Sequence, residues 1–155
     1  MNNKITSKGK NFWMVSETNE NFKKSQELNF SIHGLKSKYR KQAKRMEPND
    51  RVLFYIYNKK KWALTATITS KSFIDNKTIW TSIYPDESYP NRVYMQPDII
   101  LKENNYIDAM VLAPSLEYLK KWLPEMWPLA FYENLHLIPS KDFNLIETEM
   151  KRLIK

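Results

Sequence analysis

The chain has 155 residues, a formal net charge of +8 and no cysteine, which excludes a disulfide framework, a thiol nucleophile and a thiolate metal site. Aromatic residues make up 14%, so rings must form much of one core, and a chain of this length buries about two-thirds of the surface that its unfolded form exposes. No apolar stretch is long enough to span a membrane and the opening residues 1–12 lack the apolar run of a signal peptide, so the expectation is one domain over residues 1–155, free of the membrane and cytoplasmic.

Phe12-Trp13-Met14-Val15-Ser16 reads as a first strand, apolar throughout and therefore central. A short helix follows from Asn19, which can cap it, with Glu20 suited to the positive end. Residues 36–46 fit a helix or a loop. Pro48-Asn49-Asp50 makes a turn into a strand over Arg51–Tyr57. Asn58–Lys61 is a connector of hairpin length, and the β-branched run Trp62–Thr69 is the next strand. A strand over Arg92–Met95 continues as extended chain through Asp98–Leu101. Ser115–Leu123 reads as a helix, and Trp122 and Trp127 flank Pro124 after it. Lys141–Ile154 reads as a last helix, capped by Ser140, with Phe143, Ile146, Met150 and Leu153 or Ile154 on one face. The fold class is α+β: a small β-barrel or curled sheet decorated by several α-helices.

The charge is divided unevenly. Residues 1–80 carry 17 Lys and Arg against 6 Asp and Glu, a surplus of +11, and residues 81–155 sum to −3. Lys36, Lys38, Arg40, Lys41, Lys44 and Arg45 form a cluster without an acid, and Lys59, Lys60 and Lys61 form a second at the hairpin. Cations at this density neutralise phosphates and release counterions, whereas a solvated helix face is the bland alternative. Trp13, Tyr55, Tyr57, Trp62, Trp80, Tyr84, Tyr89 and Tyr94 supply more rings than so small a core needs, and two or three can line a cleft where a base stacks. Ser16, Thr18, Asn19 and Asn21, just after the first strand, are placed to read a base edge or to cap the helix.

Catalytic patterns are missing. The chain has no glycine-rich phosphate loop and no HExxH pattern, and His33 and His136 lie too far apart for a simple zinc motif. No metal and no cofactor is expected. Asp86 and Glu87 are adjacent acids in a Tyr/Pro-rich loop and read as an exposed turn. Nothing assembles a nucleophile, a base and an orienting group.

Phe12-Trp13-Met14-Val15-Ser16, Asn21-Phe22, His33-Gly34-Leu35, the run Met46–Tyr55, Phe73-Ile74-Asp75, Tyr89-Pro90-Asn91-Arg92-Val93 and the closing Ile138–Glu147 together resemble the EVE domain, over about residues 11–150. EVE domains belong to the PUA-like superfamily with YTH and ASCH domains. The resemblance implies a helix-wrapped β-barrel with a pocket at one end. YTH domains hold an amine-methylated adenine of RNA there, and EVE domains are proposed to read modified cytosines in DNA. Carried over, the pocket takes Trp13, Ser16, Thr18, Asn21, His33, Gly34, Tyr89, Pro90 and Arg92, with Trp13 and His33 flanking the base. His33 departs from the Trp that many relatives place before the glycine. Asn49 departs from the usual Pro-Gly-Asp turn, and Asn tolerates the left-handed backbone such a turn needs. The expected partner is nucleic acid, RNA or modified DNA, bound without catalysis. A nucleotide-sized ligand in the same pocket is the alternative, and an RNA- or nucleotide-modifying enzyme is a further one.

Overall fold

The computed structural model describes residues 11–154; the expectation for residues 1–10 lies outside them. Eight strands form one mixed, curled sheet: β1 (Phe12–Glu17), β2 (Ile32–Leu35), β3 (Arg51–Ile56), β4 (Lys61–Ile68), β5 (Phe73–Ile74), β6 (Asn91–Ile100), β7 (Ile107–Asp108) and β8 (Leu135–Ile138). The main path runs β2-β6-β4-β3-β1-β8, with β5 on β6 and β7 on β4. Strand β1 runs parallel to β3 and antiparallel to β8. Five α-helices accompany the sheet: α1 (Asn19–Glu27), α2 (Arg40–Lys44), α3 (Ala109–Leu112), α4 (Trp127–Ala130) and α5 (Ser140–Leu153). The expected α+β class holds, with the sheet curled into a half-barrel. Register shifts between Phe54 and Tyr55 and between Thr65 and Ala66 bend β3 and β4 around this curve.

Strand β1 is apolar over Phe12–Val15 because both of its faces are covered there. Trp13 and Val15 join Phe22, Phe30, Leu35, Phe54 and Met95 inside the curl. Met14 points the other way, onto Leu53, Trp62, Phe131 and the Phe143–Ile146–Met150 stripe of α5. Asp50 anchors the start of the strand: fully buried, it accepts from Trp13 Nε1 at 2.9 Å and from the Glu47 amide at 3.0 Å. The adjoining turn uses the left-handed conformation at Asn49 (φ 77°), as its side chain permits.

Three local expectations are corrected. The α1 cap is Thr18, whose extended backbone aims Oγ1 at the Asn21 amide (3.2 Å), while Asn19 is already helical. Ser115–Leu123 is not a helix but short 3₁₀ turns at 113–115 and 117–119. Pro114 interrupts the chain, and the buried Asp142 carboxylate takes the amides of Glu117 and Tyr118 at 2.8 Å each. Ser140 is the first residue of α5 and makes no cap; Leu153 and Ile154 at its end are exposed, and Glu147 is buried instead. Trp122 is exposed, whereas Trp127 packs against the core. Among the described residues no helix is long and apolar enough to cross a membrane.

Candidate base-binding cavity

A cavity of about 350 Å³ opens where β1 ends and α1 begins. Five segments meet there: Ser16, Glu17, Thr18 and Glu20; Lys36 after β2; Tyr57 and Asn58 of the β3–β4 hairpin; Thr81, Ser82, Ile83, Tyr84 and Tyr89; and Tyr132 and Asn134 before β8. Four of the lining residues are tyrosines. Tyr57 and Tyr132 meet edge-to-face at 5.2 Å, Tyr84 is half-exposed at the rim, and Tyr89 is buried. Burial, reinforced by the charges of Glu17 and Glu87, pushes the Tyr89 hydroxyl well above its ordinary pKa, so it stays a proton donor. Ser16 Oγ is buried with no hydrogen-bond partner, one of few such atoms among the described residues.

Beneath these rings lies a buried polar network. Asn134 closes the seam between β2 and β8 with its side chain: Oδ1 accepts from the Lys36 amide at 3.0 Å, and Nδ2 donates to Ser16 O and to Glu17 Oε2. Glu17 Oε2 also accepts from His33 Nε2 at 2.9 Å, and Oε1 has one long contact, Asn21 Nδ2 at 3.3 Å. On its other side, Trp80 Nε1 donates to Ser25 Oγ at 2.8 Å, and Ser25 Oγ lies 2.7 Å from His33 Nδ1. The order Ser25–His33–Glu17 is that of a nucleophile relay, but Ser25 has no exposed surface and no substrate can reach its oxygen.

The sequence-predicted pocket is thus split. Ser16, Thr18 and Tyr89 line the cavity. Trp13 does not: it is 1% exposed and tied to Asp50. His33, also 1% exposed, packs against Phe54 and Trp80 and flanks no open space. Asn21 spends its amide on the 81–89 segment, exchanging bonds with the backbone of Thr81 and reaching Tyr89 Oη. Gly34 lies under the Trp80 ring, where a Cβ would come within 2.5 Å of Cε3. Pro90 and Arg92 line a second cavity of about 330 Å³ across the 75–90 segment, which shares Thr81, Ser82, Tyr84 and Tyr89 with the first. Arg92 is 2% exposed; it covers the Trp80 ring at 5.0 Å and braces the carbonyls of Tyr89 and Lys77, so it stands outside the first cavity as a strut. Tyr57, Tyr84, Tyr132, Asn58 and Asn134 complete the lining of the first cavity. Of these, only Tyr57 and Tyr84 were marked by the surplus of rings.

The basic residues also divide. Lys36 lines the cavity and pairs with Glu87 at 3.2 Å. Glu87 is not a free turn residue: the Ser82 hydroxyl, then Lys36, hold its carboxyl below the ordinary range. Lys38 pairs with Glu133, and Lys59 with Glu103. Arg40, Lys41, Lys44 and Arg45 are exposed along α2 and its end, and among the described residues no ion pair occupies them. Lys60 and Lys61 are likewise unpaired there, Lys60 at the hairpin tip with φ 56°.

The half-barrel with these helices is the YTH fold. The Mmi1 YTH domain superposes with a TM-score of 0.63 over 97% of this chain and 79% of that one, at 10% identity. A structure of that domain in complex with RNA gives 0.63 over 94% and 88%, at 9% identity. The solution structure of Rpa0253 from Rhodopseudomonas palustris gives 0.54 over 92% and 94%, at 15% identity. In sequence the chain is 26% identical over 148 residues to a UPF0310 protein of Pyrococcus abyssi, covering 88% of this chain and 97% of that one. No family model matches the chain.

Proposed function

We propose that this chain is a nucleic-acid-binding module of the EVE kind that holds one base of RNA or modified DNA in the tyrosine-lined cavity, works in the cytoplasm and catalyses nothing. The observation that carries this reading is a base-sized cavity with four tyrosines, beside a run of unpaired cations on a fold that another protein, the Mmi1 YTH domain, uses in complex with RNA. Arg40, Lys41, Lys44 and Arg45 grip phosphates, and the base is turned out of its strand against Tyr57 and Tyr132. Flipping costs a few kcal/mol and least in a single strand, and stacking on each ring returns about 1–3 kcal/mol. A free nucleotide in the same cavity is the second reading, and Arg40, Lys41, Lys44 and Arg45, without ion pairs among the described residues and outside the cavity, count against it, since one nucleotide cannot use them all.

Short fluorescent single- and double-stranded oligonucleotides, with and without modified cytosine or amine-methylated adenine, titrated at two salt concentrations, test the proposal. Salt-sensitive binding that tightens with one modified base supports it. No binding at low salt overturns it.

A further inference from the structure

The outer face of the sheet has open surface between two covers. Val93 and Met95 of β6 point into the curl, as do Ala66 and Ile68 of β4, so Tyr94, Gln96 and Thr67 point outward. At one end α5 brings Glu147 onto Arg51 and Thr65, and at the other the Trp80 ring lies over Gly34 and against Arg92. Between these covers Tyr94 is 51% exposed and Gln96 is exposed too. Tyr94 lies opposite Ile32 of β2, and its ring meets that of Phe73 of β5 with centroids 4.8 Å apart and planes inclined by 32°. Three adjoining strands thus carry one ring-bearing patch. The charges around it favour a polyanion. Asp98 is paired with Arg51, Asp75 with Arg92 and Glu47 with Lys71, so each of these carboxylates has its own cation. Lys71 also donates to the carbonyl of Lys44 at 3.0 Å, while its neighbour Ser70 accepts from the Tyr94 amide at 3.0 Å. Those two bonds tie the C-terminal end of α2, with exposed Lys44 and Arg45, to the strand that presents Tyr94.

Resting on the nucleic-acid reading above but not on the cavity, we propose that this sheet face is a second base-binding surface. An unpaired base of a single strand stacks on Tyr94 and Phe73, and the phosphates beside it meet Lys44 and Arg45. A half-exposed ring offers a face on which any base can stack, and the Gln96 amide can both donate to a base edge and accept from it. The bases of a duplex already stack on one another, so the occupant is single-stranded. A cross-strand aromatic pair with only a structural role would contribute to stability alone; a stacking surface contributes to affinity.

The test titrates a fluorescent single-stranded RNA of mixed sequence against the full chain and its variants, and irradiates the same strand carrying 5-iodouridine. Tyr94→Ala should weaken binding about five- to a hundredfold without altering the log–log salt slope, because a stacked base is lost and no phosphate contact. The iodinated strand should crosslink to Tyr94 or Phe73. Should Tyr94→Ala lower Tm, Tyr94→Leu keeps an apolar contact with Phe73 and removes the ring, and the same loss of affinity is expected in a folded protein. Equal affinity of the wild type and both variants, with crosslinks confined to the tyrosines of the cavity, would overturn the second surface and leave the base-holding reading standing. A loss in Tyr94→Ala with none in Tyr132→Ala would uphold the sheet face and overturn the cavity. Dimerisation in analytical ultracentrifugation that Tyr94→Ala abolishes, with strand affinity unchanged, would assign the face to a second copy of the chain and overturn the proposal. No binding of any strand would overturn both readings.

Discussion

Gly34→Ala is a sharp test of how the cavity wall is held. The new Cβ would stand 2.5 Å from Trp80 Cε3, 2.6 Å from Cζ3 and 2.9 Å from Tyr89 O, so the indole must retreat by roughly 1 Å to reach ordinary contact. It has little room to do so, being 2% exposed between Gly34 and the Arg92 guanidinium. Overpacking a filled core costs about 1–3 kcal/mol, and losing the Trp80–Ser25 hydrogen bond adds about 1 kcal/mol. Alanine in a strand should otherwise gain about 0.5–1 kcal/mol over glycine, so the two accounts differ in sign. The net expectation is a loss of about 2–3 kcal/mol, or roughly 4–12 °C in Tm for a chain of this size. Thermal and urea unfolding followed by tryptophan fluorescence read it directly. An unchanged or raised Tm would refute the packing argument.

Tyr132→Ala should weaken oligonucleotide binding about five- to a hundredfold while shifting Tm little, because one stacking wall is lost from a half-exposed position; equal affinity would remove Tyr132 from the site. Replacing Lys41 and Lys44 together with Gln should weaken all sequences alike and lower the log–log salt slope by about 1–2, measured by anisotropy at several salt concentrations. His136 sits between the Tyr118 hydroxyl and the Glu133 carbonyl, at 2.7 Å each, and burial lowers its pKa below the ordinary 6.5. The unfolded chain therefore binds the proton more readily, so stability present above about pH 6.5 falls as the pH drops below it. His136→Gln should flatten the difference between urea midpoints at about pH 7.5 and about pH 5.5.

Much of the framework was legible because it rests on local rules. The unbroken apolar run of β1 signals two covered faces, Asn49 signals a left-handed turn, and the stripe Phe143–Ile146–Met150 signals the buried side of α5. The cavity was legible at Ser16 and Thr18 beside the helix start and, through the surplus of rings, at Tyr57, Tyr84 and Tyr89. Asn134 meets Ser16 across 118 positions, and Thr81 meets Asn21 across 60, so no spacing rule connects them. His33 was misplaced for the same reason: Ser25 and Trp80 lock it into the core, and Trp80 is far away in the chain. The 115–123 segment has helical spacing, but Asp142, from α5, captures its amides. Its conformation is thus set by a residue outside the window.

The most direct measurement is backbone amide chemical-shift mapping with a short single-stranded RNA. A base held in the cavity predicts the largest perturbations at Ser16, Thr18, Tyr57, Tyr89 and Tyr132, with smaller ones along Arg40–Arg45. Perturbations confined to Arg40–Arg45 and Lys59–Lys61, with the cavity residues unmoved, would contradict the account.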